Sequence, residues 1–206
     1  MREPENLRCV EMLDVDYLGF VFYAQSPRYV PEEYGFIEAF GHCTKNKVGV
    51  FVNESIEKML CISKLFQFNY LQLHGNETPE ICCELRQKGY SIIKAFPVTT
   101  SSDFNQTKSY QNCCDYYLFD ASCAGYGGSG KRFDWSLLDA YKGEIPFLLS
   151  GGLTFDCVAD IKRLKHPQFF GVDLNSGFEL YPAMKDVIKL KDFINELKKN
   201  YYNEQN

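Results

Sequence analysis

The stretch YYLFDASCAGYGGSGKRFDW, residues 116–135, decides the fold. Its opening run, Tyr116-Tyr117-Leu118-Phe119, is apolar throughout and predicts a buried strand. That strand runs out on a carboxylate, Asp120. Four glycines follow, Gly125, Gly127, Gly128 and Gly130, and they let a loop come close to a ligand. Phe133-Asp134-Trp135-Ser136-Leu137-Leu138 then opens a helix. A carboxylate at the C-terminal end of a strand, with a glycine loop behind it, is where a βα barrel keeps its chemistry. The same letters also suit a connecting loop with a solvated aspartate.

Working outward from this unit, the pattern repeats. Apolar runs at 17–23, 47–52, 70–73, 91–96, 116–119, 146–149 and 169–174 predict seven strands. Amphipathic or polar stretches at 31–40, 53–66, 78–88, 102–111, 133–141, 154–164 and 184–199 predict a helix after each. One more helix, opened by Pro4, precedes the first strand. Strand ends recur about every 21 to 30 residues, the period of a βα unit. Strict alternation predicts a parallel sheet, and with it an α/β (β/α) TIM barrel in one domain over 1–206, with seven of the eight strands present. The polar tail from Asn200 is expected to fray.

Composition agrees with one substantial core: 206 residues, 45% hydrophobic, net charge -5. The acidic balance argues against a nucleic-acid partner. No apolar run reaches the roughly 18 residues of a membrane span, and the first residues do not read as a signal peptide. A cytoplasmic protein with no membrane partner is expected. The nine cysteines show no paired metal-ligand spacing, so most are expected to be free thiols acting as small hydrophobes.

The polar candidates all fall at strand ends: Arg28, Asn53, His74, Asp120, Ser150 with Gly151-Gly152, and Asp173 with Ser176-Gly177. In a βα barrel these ends meet on one face. The glycine loops after the last two strands suit a phosphate, which takes backbone N–H donors at a helix start; tight turns without a ligand would look the same. Asp120 can be a general acid or base, or a loop cap. Arg28 can clamp a carboxylate, or lie on the surface. His74 can meet a ligand oxygen, or be structural.

With these residues in place, the chain resembles the phosphoribosylanthranilate isomerases of tryptophan biosynthesis. The matching segments are DYLGFVFYAQSPRY (16–29), VGVFVN (48–53), LQLHG (71–75), YGGSGKRFDW (126–135), LSGGL (149–153) and VDLNSGFE (172–179). The resemblance implies an Amadori rearrangement of a phosphosugar substrate, aldose amine to ketose amine, with no metal or cofactor. It makes Asp120 the acid that protonates the furanose oxygen. Arg28 then holds the anthranilate carboxylate, and Gly151, Gly152, Ser176 and Gly177 hold the phosphate. Asp173 and His74 match family positions at or near the site.

Two departures accompany it. The family's general base is a cysteine in a Cys-Gly pair ending its first strand, and that pair aligns immediately before Met1. Cys9 lies inside the first helix and reads as packing, not as that base. The chain on its own is therefore expected to lack the base and to have little or no isomerase activity. Its sheet is expected to show a gap between the strands at 17–23 and 169–174. Ala183 stands where the family usually has Gly. Two alternatives remain: an inactive barrel that binds a phosphorylated ligand, and another phosphosugar enzyme such as indole-glycerol-phosphate synthase. The latter would want lysine and glutamate at strand ends, and only Lys94 is suitably placed.

Overall fold

The computed structural model describes residues 1–31, 34–120 and 135–199. The glycine loop, the helix start at 133–134 and the tail from 200 lie outside them. Helix α1 (Pro4–Glu11) leads into strand β1 (Tyr17–Val21), followed by α2 (Tyr34–Gly41), β2 (Asn46–Phe51), α3 (Ile56–Phe66), β3 (Tyr70–Leu73), α4 (Pro79–Gln87) and β4 (Ser91–Pro97). A 3-10 helix (Ser101–Tyr110) connects β4 to β5 (Tyr116–Asp120). A second 3-10 helix (Trp135–Ala140) precedes β6 (Phe147–Ser150). Next come α5 (Val158–Arg163), β7 (Phe169–Val172), a short hairpin of β8 (Glu179–Tyr181) and β9 (Met184–Lys185), and α6 (Val187–Lys198).

The seven strands β1 to β7 pair in chain order, every neighbour parallel. Parallel neighbours need a crossover between them, and the helices supply it on one side of the sheet. The sheet curls into a half-barrel whose edges are β1 and β7, where the expected gap falls. Met1 is buried beside the β1 edge, and its amino group donates to the Gly19 carbonyl at 3.2 Å.

Both sheet faces are covered, which is why the strands read as unbroken apolar runs. Towards the helices lie Phe20, Phe51, Leu73, Phe96, Phe119 and Phe147, all buried in the main core. Burying each such side chain contributes about 1.5–3 kcal/mol. The inner face is layered by the two-residue alternation of strands. Tyr17, Tyr70 and Tyr116 meet at the N-terminal end, with Tyr17 and Tyr70 edge-to-face at 5.0 Å. Val48, Ile93, Ala95 and Leu118 form the layer above. Continuing up β3 and β5 by the same alternation brings Gln72, His74 and Asp120 to the C-terminal end.

Several expectations need correcting. The third helix begins at Ile56 and not at 53: Ser55 caps it, accepting from the Lys58 N–H at 3.3 Å. The last helix begins at Val187 under an Asp186 cap, because Met184 and Lys185 are taken by the hairpin. Cys9 is exposed on α1, whose buried face is Asn6, Leu7 and Val10, so it does not pack. Cys83 and Cys113 are joined in a disulfide, because the adjacent pairs Cys82-Cys83 and Cys113-Cys114 face one another across α4 and the turn into β5. The other described cysteines are free thiols. Lys94 points away from the barrel interior. Its ammonium binds the carbonyls of Leu73, Gly75 and Ala95 and pairs with Glu77 at 3.2 Å, both side chains almost fully buried. It offers nothing to a synthase-type reaction on the inner face.

Candidate active site

The strand ends gather three groups of side chains. At the centre, the His74 Nε2 lies 3.3 Å from Asp120 Oδ2, and its Nδ1 lies 3.2 Å from Gln72 Oε1. Asp120 is 15% exposed and His74 33%, so the pair faces solvent while its supports do not. The turn carrying His74 is braced from below. Glu77 accepts the N–H groups of Asn53 and Gly75, and the Asn53 side chain accepts that of Asn76 at 2.6 Å. Asn53 takes a left-handed φ of 50° to do this. It is thus a support for the His74 turn.

Asp173 follows β7 and is half-buried. Desolvation pushes its carboxyl above the usual range, against the pull of Lys185 and His74 and a hydrogen bond from Gln72. A carboxylate with a raised folded pKa favours folding below its unfolded value, near 3.9, and opposes it as pH rises through the folded value. Asp173→Asn is therefore expected to raise the melting temperature at pH 7, with the gain vanishing near pH 3. Thermal unfolding at the two pH values measures it; a lower melting temperature at pH 7 would show that Asp173 is held as a satisfied ion.

At one side of the site, Arg28 is bound by Glu179. Its Nε lies 3.0 and 2.9 Å from the two carboxylate oxygens and a terminal nitrogen 2.6 Å from Oε2. Glu179 is 4% exposed. Burial raises its carboxyl, but the Arg28 hydrogen bonds and the Lys185 charge outweigh that and hold it below the usual range. Lys185 reaches the Leu174 carbonyl at 3.2 Å, Asn175 Oδ1 at 2.8 Å and Glu179 at 3.4 Å. Asn6 of α1 fixes the Lys185 backbone with two 2.8 Å bonds. Ala183 donates its N–H to Glu179 and sits at φ 72°, the region that favours glycine. Glu179 and Lys185 were absent from the sequence candidates, because nothing in their spacing says that a hairpin turns them back onto the strand ends.

After β6 and β7 come the two glycine loops. Gly151 and Gly152 have φ of 97° and 63°, which opens the turn after β6. Gly177, in the 3-10 turn after β7, lies against the Leu153 carbonyl so closely that any β-carbon would collide with it. The loops expected to hold a phosphate are thus packed on each other. Ser150 is buried and Ser176 exposed between them. Among the described residues no group of three or more His, Cys, Asp or Glu side chains is gathered for a metal ion. None of their helices is long and apolar enough to cross a membrane.

The family model for N-(5'-phosphoribosyl)anthranilate (PRA) isomerase matches residues 2–196. The chain belongs to the phosphoribosylanthranilate isomerase family. It is 51% identical over 200 residues to the N-(5'-phosphoribosyl)anthranilate isomerase of Parabacteroides distasonis, covering 96% of this chain and 90% of that one. Among solved structures, the phosphoribosylanthranilate isomerase of Thermotoga maritima superposes with a TM-score of 0.83 at 34% identity, covering 96% and 95%. Another isomerase structure, in complex with reduced 1-(o-carboxyphenylamino)-1-deoxyribulose 5-phosphate, gives 0.80 at 31% identity, covering 96% and 95%. Seven of the eight strands of this TIM-barrel family are thus present here, with their helices.

Proposed function

We propose that this isomerase-family chain works on N-(5'-phosphoribosyl)anthranilate through a site in which Asp120 is the general acid. Arg28 takes the anthranilate carboxylate, and the loops of Gly151-Gly152 and Ser176-Gly177 take the phosphate. The product is the 1-deoxyribulose phosphate ketose, and the setting is the cytoplasm. The observation that carries the reading is the Asp120–His74 pair at the strand ends that also carry the Arg28–Glu179 pair and the two packed glycine loops. An acid, a carboxylate clamp and an anion cradle are what this substrate's three polar regions require.

Chemically, Asp120 gives a proton to the furanose oxygen as the C1–O bond breaks, and the anilino nitrogen's lone pair closes the Schiff base. A base then removes the C2 proton, and the enolamine relaxes to the ketone. Arg28 has five N–H donors, and Glu179 occupies those on two of its nitrogens. The third nitrogen keeps its two for a ligand carboxylate. A clamp held by a buried partner keeps its geometry without losing rotamer freedom on binding.

Titration calorimetry with the reduced product analogue tests this. Gly177→Asp places a side chain against the Leu153 carbonyl and a negative charge in the phosphate loops. Affinity is expected to fall by about 100-fold or more, the equivalent of losing one or two charge-assisted hydrogen bonds. Unchanged affinity in a folded Gly177→Asp protein would place the phosphate elsewhere.

A further inference from the structure

We propose that Gln72 is a positioning residue that locks the His74 imidazole with a proton on Nδ1, so that the Asp120–His74 pair must store one further proton for the acid step. The inference rests on the reading of Asp120 as the general acid and deepens it.

The argument is one of donors and acceptors. Gln72 is buried, so both ends of its amide need partners. Its Oε1 lies 3.2 Å from His74 Nδ1. That oxygen can only accept, so Nδ1 must carry a hydrogen. A neutral imidazole has one N–H, and with it on Nδ1 the other nitrogen is a bare lone pair. That lone pair faces Asp120 Oδ2 at 3.3 Å.

Two acceptors at that distance need a proton between them. It sits on Asp120, as a carboxylic acid donating to Nε2, or on Nε2, as an imidazolium paired with the carboxylate. In both forms the pair holds one proton beyond the locked one. Without the lock, a neutral imidazole would put its single proton on Nε2, donate it to the Asp120 carboxylate, and leave nothing to give. Hydrogen bonding to the charged form of an acid lowers its pKa; the lock withholds that bond from the bare carboxylate and so keeps the acid loaded. In the reaction the stored proton passes to the ring oxygen, which takes both electrons of the C1–O bond. A proton released when the ketone forms restores the pair. Among the described residues, the charged neighbours are Asp173, past β7, and Lys185, on β9, which acts on Asp173. Lys94, on β4, is turned to the helix side.

The test is nitrogen-15 spectroscopy of the histidine rings in the full chain. There are three histidines, His42, His74 and His166, and His74→Asn assigns the signals. Nδ1 of His74 is expected to keep an N–H-type shift from mildly acid to mildly alkaline pH. In Gln72→Met, which keeps length but removes the acceptor, the proton should move to Nε2. In Gln72→Glu, which restores an acceptor, it should return to Nδ1. Turnover of Gln72→Met, measured in a chain carrying the family's Cys-Gly strand ahead of residue 1, should fall about 10- to 100-fold with KM little changed. Its alkaline limb should also move to lower pH. An Nε2–H tautomer in the unsubstituted protein overturns the lock, whether or not the variants fold. So does an unchanged Nδ1–H in folded Gln72→Met. If the tautomer is as expected but the reduced product analogue does not bind, the functional reading fails and the lock stands. If the analogue binds and the tautomer is Nε2–H, the lock alone fails.

Discussion

Asp120→Asn is expected to lower turnover by about 10²–10⁴-fold, the usual contribution of a positioned general acid. The substitution keeps the shape and most of the hydrogen bonding but leaves no proton to give to the ring oxygen. Affinity for the reduced product analogue should change by less than about threefold, because the analogue needs no proton. Turnover is measured in a chain carrying the family's Cys-Gly strand ahead of residue 1, by the loss of anthranilate-substrate fluorescence. Near-full turnover in Asp120→Asn would show that another group protonates the sugar. His74 is a poor substitute in that role, because its Nε2 faces Asp120 itself.

The second large effect is on stability and comes from Glu179. Glu179→Ala removes three hydrogen-bond contacts to Arg28 and the bond from the Ala183 N–H, and leaves the buried Lys185 short of its counter-charge. Removing one partner of a buried ion pair costs about 3–5 kcal/mol. The lower end is expected here, because Arg28 is 23% exposed and water can take up part of its charge. Glu179's folded pKa is depressed, so its contribution is complete above the ordinary glutamate range and disappears as pH falls through the folded value. Denaturant melts at pH 7 and pH 3 should therefore show a large gap between the two proteins at pH 7 and a small one at pH 3. The analogue's affinity should fall along with stability, since Arg28 loses its mount. A variant that unfolds at the same denaturant concentration as the parent at pH 7 would mean the cluster is not a support.

The parallel half-barrel was legible from the alternation of apolar runs and helical stretches, because each strand is covered on both faces and each crossover must be a helix. So were the strand-end positions of Arg28, His74, Asp120 and Asp173, since the topology sends every strand end to one face. The supporting residues were not legible. Gln72 reads as one polar residue in an apolar strand, and only the fold shows that it sits buried against His74. Glu77 and Lys94 lie 17 residues apart, as their numbers show, and become a buried pair only when β3 and β4 are side by side. The β8–β9 hairpin escaped because Met184-Lys185 adjoins the amphipathic run of the last helix, and the predicted helix over 184–199 takes in both residues. Ala183 at φ 72° gives a physical reason for the family's glycine there: the turn needs a left-handed residue. The Cys83–Cys113 bridge also could not be read from spacing, since two adjacent pairs allow several pairings and the choice depends on which side chains α4 turns outward.

The most direct test of the account is a crystal structure of this chain with the reduced product analogue bound. The account predicts the phosphate on the backbone N–H groups of Gly151-Gly152 and Ser176-Gly177, and the anthranilate carboxylate on Arg28, still mounted on Glu179. The sugar oxygen should lie within hydrogen-bond reach of Asp120. A phosphate bound away from the two glycine loops, or a sugar that leaves Asp120 facing only solvent, would contradict it.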